Sequence, residues 1–189
     1  MIMTTAKQLA NFQWPWQYDF PPFFTIQPNV ETQTKQIQAW CELVLDYQKH
    51  IKSYAIDVQE SLSSPLFHNA KIKRKLPIDG VYLVLNALKD KGLLEWQDKK
   101  MSRALLMWRS AEEWAKLIFN WAERSGMTNT VCTLYELQLG NDVKKEEFYE
   151  IETWVLKRAL RVLEKKGKAV MFDIQPNDND NSGGVKFLS

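Results

Sequence analysis

The chain has 189 residues, 45% hydrophobic and 25% charged, a balance that excludes disordered and fibrous classes and allows one large or two small globular domains. Its formal charge of +2 is uneven: residues 1–109 carry 14 Lys/Arg against 10 Asp/Glu, net +4, and residues 110–189 carry 11 against 13, net −2. That is too weak for nucleic-acid binding by bulk charge.

Residues 1–11 are polar and lack a hydrophobic pattern, so a mobile leader is expected there. Trp14–Phe24 then reads WPWQYDFPPFF, six aromatics and three prolines in one short run. Trp14, Trp16, Tyr18 and Phe20 recur at every second position, and Pro15, Pro21 and Pro22 hold the residues before them out of the helical region. The pattern predicts a stiff, extended strip with four rings on one side. Such a strip must be buried, either against its own domain or against another chain.

From Glu31 the period changes. Ile37, Trp40, Cys41, Val44 and Leu45 form the stripe of an amphipathic helix ending near Lys49 or His50. Tyr54, Ile56 and Val58 alternate as a short strand, and Pro65 opens a short helix or loop carrying Lys71, Lys73, Arg74 and Lys75. After Pro77, the residues Val81, Val84, Leu85 and Leu88 mark a second helix stopped at Gly92. Leu93–Gln97 and Ala104–Trp108, separated by DKKMSR, read as a hairpin.

Ser110 to Glu113 is a capping box opening a helix with the stripe Trp114, Leu117, Ile118 and Trp121, ended by Gly126. Val131 and Cys132 are strand-like. Thr133 and Glu136 form a second box for a short helix through Leu139, stopped by Gly140. After the loop NDVKKEE, Leu156, Ala159, Leu160 and Leu163 mark a longer helix stopped at Gly167. Ala169–Ile174 and Val185–Leu188 are strands around the loop PNDNDNSGG. The same element order therefore occurs twice, with LNALKDKGLLEW and LRVLEKKGKAVMF as corresponding stretches. The expected fold is α+β, two tandem winged-helix domains behind the proline/aromatic segment: leader 1–11, docking segment and first domain 12–109, second domain 110–189.

The residues offer no catalytic constellation. His50 and His68 stand near no cysteine or carboxylate at metal-ligand spacing, and no phosphate-binding or nucleophile motif occurs, so no catalytic residue, metal or cofactor is expected. Cys41 and Cys132 lie in apolar contexts far apart, which fits a reduced intracellular compartment. No asparagine stands in a glycosylation sequon, no apolar run approaches the ~20 residues that span a bilayer, and MIMTTAKQLA has no hydrophobic signal core. The protein is expected to be cytoplasmic, with membrane contact only through a partner.

Winged helices often read DNA, so a nucleic-acid-binding tandem winged helix is the alternative. The outward positions of the third helix of each domain argue against it. Asp79, Tyr82, Leu83, Asn86, Lys89 and Asp90 carry one base against two acids, and Thr153, Lys157, Arg161 and Glu164 are bounded by Glu150 and Glu152. The basic cluster and the wing residues Lys99, Lys100 and Arg103 read as a solvated face.

An interaction module remains. WPWQYDFPPFF with QPNVET, SPLFHNAKIKRKLP, GLLEWQDK, MWRSAEEWAKLIFNW, TLYELQLG, EEFY and a final GVKF resemble the vacuolar protein sorting-associated subunits of the ESCRT-II complex, from Phe12 to Phe187. The resemblance implies a non-catalytic subunit that works in sorting ubiquitinated membrane proteins into multivesicular bodies. Pro21, Pro22 and Phe24, supported by Trp14, Pro15 and Trp16, would dock into the other two ESCRT-II subunits, with two copies per complex. Residues 110–189 would bind an ESCRT-III subunit, at Val131, Cys132 and Thr133 by expectation, and recruitment would be to endosomal membrane. Pre-extended proline segments lose little entropy on docking and large rings dominate interface energetics, which supports the first role physically. Packing of Trp14–Tyr18 on its own domain stays open beside it, as does a WW-type ligand, although PPFF has Phe where such ligands carry Tyr.

Overall fold

The computed structural model describes residues 9–172 and 181–189, so the leader up to residue 8 and the greater part of the Asn/Asp-rich loop lie outside it. The chain divides into two compact units, Met1–Trp108 and Arg109–Ser189.

In the first unit the predicted stripe becomes α1 (Val30–His50), capped by Asn29, whose side chain accepts from the Thr32 amide. β1 (Ala55–Asp57) and the single turn α2 (Val58–Ser61) follow. The Pro65 segment, expected to be helix or loop, forms a small hairpin of β2 (His68–Asn69) and β3 (Arg74–Lys75). α3 (Ile78–Asp90) leads into the wing, β4 (Leu94–Trp96) and β5 (Arg103–Leu106). The sheet order is β1-β5-β4, all antiparallel, with Ala104 opposite both Ile56 and Trp96. Trp40, Phe67, Leu76, Leu85, Leu88 and Leu106 fill the core with at most 1% exposure.

The second unit repeats the plan. α4 (Ala111–Arg124) and α5 (Leu134–Leu139) both open on the complete capping boxes that Ser110/Glu113 and Thr133/Glu136 predict. Between them lies β6 (Val131–Thr133); α6 (Thr153–Lys165), β7 (Ala169–Phe172) and β8 (Gly184–Phe187) complete the unit in the sheet order β6-β8-β7. In both units the strand after the first helix pairs with the last strand of the wing. That is the tandem winged-helix arrangement.

The corresponding glycines close corresponding helices. Gly92 and Gly167 sit at φ +73° and +67°. The residue after each donates back to the third-last carbonyl of its helix, Leu93 to Leu88 at 3.0 Å and Lys168 to Leu163 at 2.8 Å. A left-handed residue at this position lets the chain leave the helix with its last carbonyls satisfied, and glycine takes it without a Cβ penalty.

Two expectations are corrected here. Lys157 does not face outward on α6 but is fully buried, because Trp154, Val155, Leu156 and Lys157 are buried in succession: the start of this helix is enclosed on all sides. The stretch after Gly140 is no plain solvated loop either. Val143, Phe148 and Ile151 are at most 2% exposed, and Glu146 and Glu147 pair with Arg124 and Arg109.

Candidate protein-docking site

The proline/aromatic segment is not extended. Pro15 is in the extended region and starts a 3-10 turn over Trp16–Asp19, and Phe20, also extended, starts a second over Pro21–Phe24. Tyr18 and Phe20 donate their amides to Pro15 and Gln17 at 2.9 Å, and Phe23 and Thr25 donate to Phe20 and Pro22 at 3.0 and 3.1 Å. Proline suits such a turn: its fixed φ is already close to the value needed, and the missing N–H falls where no partner is required. The alternation of rings therefore becomes a spacing of four. Trp14 stacks on Tyr18, 3.9 Å between centroids, while Trp16 lies against Phe20 at 5.9 Å on the other side.

The inner side is firmly held. Phe23 stacks on Trp40 at 4.3 Å and nearly parallel, and Phe24 meets the same indole edge-on at 5.3 Å. The Trp40 Nε1 donates to the Phe23 carbonyl at 2.9 Å, and Gln36 Nε2 donates to Phe23 and Thr25 carbonyls at 2.9 and 2.8 Å. At the other end Asn69 donates to the Tyr18 carbonyl at 2.6 Å and the Tyr18 hydroxyl donates to the Pro65 carbonyl. Lys71 pairs with Asp19 at 2.8 Å and holds that exposed carboxyl below its usual range. These buried bonds satisfy backbone groups that the 3-10 turns leave open.

Burial, reinforced by Tyr47 and Asp19, pushes the Tyr18 phenol far above its ordinary range. The neutral form is the one the fold favours, so its stabilisation is full below about pH 10, where the unfolded phenol titrates, and is lost as pH rises beyond that. Urea midpoints measured from about pH 8 to about pH 11 should fall at the alkaline end, and Tyr18→Phe should flatten that decline. A wild-type midpoint constant over this range would contradict the burial of Tyr18.

The outer side is left to solvent. Trp16 is 72% and Phe20 48% exposed, and Pro21 and Pro22 are exposed beside them. The expected docking residues therefore separate: Trp16, Pro21 and Pro22 form an outer ridge with Phe20, whereas Trp14 and Pro15 are half-buried and Phe24 is 2% exposed. Home packing, left open for Trp14–Tyr18, thus does not divide the segment along its length: both turns have an inner face packed on the domain and an outer face in solvent. Phe20 is the residue that alternation alone missed as part of the outer ridge. Its i, i+4 relation to Trp16 is the signal that a turn, rather than a strand, makes visible.

On the second unit, the three expected contact residues lie on edge strand β6. Val131 is 57% exposed and Thr133 is exposed, but Cys132 faces the interior at 1%, where burial pushes its thiol up. Val131 stands opposite Lys186, which stands opposite Val170; Thr133 stands opposite Gly184, which stands opposite Phe172. Val170 and Phe172 are also exposed, so the outer sheet face is open and carries three apolar side chains around Lys186 and Thr133. Sequence reasoning missed these two, since only register places them beside β6.

Neither histidine builds a reactive site: His68 is exposed, and His50 is half-buried with Phe12 against its ring. Among the described residues no group of three or more His, Cys, Asp or Glu could hold a metal ion, and no helix is long and apolar enough to cross a membrane.

A family model described as ESCRT-II complex subunit matches residues 17–152. Vacuolar protein-sorting-associated protein 25 of Danio rerio is 52% identical over 178 residues, covering 94% of this chain and 99% of the relative. The chain belongs to the ESCRT-II complex subunit family. The protein of the same description from Homo sapiens is 49% identical, covering 94% of this chain and 98% of the relative. The crystal structure of subunit VPS25 of the endosomal trafficking complex ESCRT-II superimposes with a TM-score of 0.77 at 27% identity, over 92% of this chain and 98% of that one. A chain in the crystal structure of the endosomal complex ESCRT-II, which contains VPS22, VPS25 and VPS36, matches with a TM-score of 0.74 at 29% identity over the same shares. The ESCRT-II family match thus begins inside the first 3-10 turn, at Gln17, and includes the whole of the second.

Proposed function

We propose that this chain is a non-catalytic ESCRT-II subunit that links the other two subunits of the complex to an ESCRT-III subunit in sorting ubiquitinated membrane proteins into multivesicular bodies. The observation that carries it is the split of the N-terminal segment: Trp16, Phe20, Pro21 and Pro22 stand in solvent on a backbone that Trp40, Gln36 and Asn69 hold rigid. A large ring or proline kept exposed and already ordered loses little entropy when a partner covers it. Trp14, Pro15 and Phe24 contribute by buttressing the ridge. The second unit presents the open face around Val131 and Thr133 to the ESCRT-III subunit. The protein is cytoplasmic, enters the complex in two copies and reaches endosomal membrane through its partners.

The test is co-expression with the other two subunits. Pro21→Ala/Pro22→Ala combined with Trp16→Ala should leave the thermal unfolding of the chain close to wild type, because these side chains are exposed, and should abolish co-purification. Undiminished assembly of this variant would end the proposal.

A further inference from the structure

The wing of the first unit ends in a turn, residues 97–103, that reads QDKKMSR, three bases against one acid. That acid serves the turn itself. Asp98 Oδ1 accepts from the Ser102 amide at 3.1 Å, and Oδ2 accepts from the Ser102 hydroxyl at 2.6 Å and the Arg103 amide at 3.2 Å. The Ser102 bonds hold this carboxyl below its usual range, so it stays ionised and turned to the backbone. Asp57, opposite Arg103 across the sheet, gives its carboxylate to the Glu60 amide at 3.0 Å. Lys99, Lys100 and Arg103 are exposed, and none of the ion pairs among the described residues involves them.

Among these bases stands Met101, 37% exposed and at φ +53°, a left-handed position that non-glycine residues rarely occupy. Two contacts with α3 fix the wing from behind. The Tyr82 hydroxyl donates to the Met101 carbonyl at 3.3 Å, and Trp96 Nε1 donates to Asn86 Oδ1 at 3.0 Å. The tip is therefore a held turn that keeps an apolar side chain in solvent amid three cations.

We propose that this wing tip is a contact for an anionic lipid surface, with its bases on the headgroups and Met101 in the boundary between headgroups and acyl chains. Bases alone would accept any polyanion, but a thioether gains only from an apolar cover. A bilayer boundary offers both without a shaped pocket. Nucleic acid answers the bases only, and α3, the helix a winged helix lays in a groove, exposes Asp79 and Asp90. An acidic protein segment would have to bring a pocket for Met101. Three bases and one apolar side chain make a reversible contact, suited to a chain that its partners have already brought to the membrane. The inference does not depend on the docking ridge.

The sequence has two cysteines, Cys41 and Cys132, and both are buried, so Met101→Cys in the full-length chain offers one accessible thiol for an environment-sensitive fluorophore. With phosphatidylcholine/phosphatidylserine vesicles its emission should rise and shift to the blue. The change should vanish with phosphatidylcholine alone, and at about 1 M salt, where the screening length is about 3 Å. The same label at Lys116→Cys, exposed on α4, should not respond. In co-sedimentation of the unlabelled chain, Lys99→Gln/Lys100→Gln should weaken binding to the anionic vesicles about twentyfold, about fivefold for each base. Met101→Gly, which removes the side chain and suits the left-handed backbone, should weaken it about fivefold while the urea midpoint stays level or rises. A label at position 101 unmoved by anionic vesicles, or a double-glutamine variant that binds them as wild type, overturns the proposal. A loss confined to duplex DNA or to polyglutamate, with vesicle binding intact, assigns the bases to another partner and overturns it equally.

Discussion

Phe24→Ala is expected to lower the unfolding free energy by about 3–5 kcal/mol, the usual cost of removing a buried phenylalanine ring. The ring is 2% exposed and packs edge-on against Trp40 and Tyr18, at 5.3 and 5.6 Å. Its removal leaves a cavity beneath the second 3-10 turn, and the neighbours that would have to collapse into it are held by hydrogen bonds to Phe23 and Thr25 carbonyls. Pro22→Ala, two residues away on the exposed face, should stay within about 1 kcal/mol of wild type. Equilibrium urea unfolding of the two variants separates a core residue from an exposed one, and equal midpoints would show that Phe24 is not interior. If the ridge docks as proposed, assembly with the other ESCRT-II subunits fails in both, in one because the ridge loses its support and in the other because the ridge is altered.

In the second unit, Phe148→Ala should cost a similar ~3–5 kcal/mol. Phe148 is 1% exposed and meets Trp121 edge-on at 5.9 Å, with Val143 and Ile151 buried on either side of it in sequence. Phe148→Leu keeps most of the volume and should recover the larger part of the loss. The surrounding charges cannot substitute for the ring. In each of the pairs Arg124–Glu146 and Arg109–Glu147 one partner is more than half exposed, and solvent-screened pairs contribute about 0–1 kcal/mol. Denaturant unfolding followed by circular dichroism checks this. A change below about 1 kcal/mol for the alanine variant would mean that the segment after Gly140 carries no core.

Element boundaries were legible wherever the signal is local. Ser110 and Thr133 open helices because a side-chain oxygen reaches an amide three residues on, and Gly92, Gly126 and Gly167 end them because each backbone there has positive φ. The repeated winged-helix order followed from these marks, and the resemblance to the ESCRT-II subunits rested on contiguous motifs. All of this depends on residues within one turn of each other, which a sequence states openly.

The fate of the aromatic strip was a different matter. Alternation predicts a strand only if nothing distant competes, and here Gln36, Trp40, Pro65 and Asn69 draw the carbonyls and the phenol of the strip into two 3-10 turns. Those partners lie 13 to 51 residues away. The same limit hid Lys157, placed inward by the enclosure of α6, and Phe148, whose partner belongs to α4. By itself the sequence determined that this segment is rigid, aromatic and in need of a cover. Only the tertiary structure decided which rings the domain covers itself and which it leaves in solvent, because that choice is made by long-range hydrogen bonds and packing that no local period records.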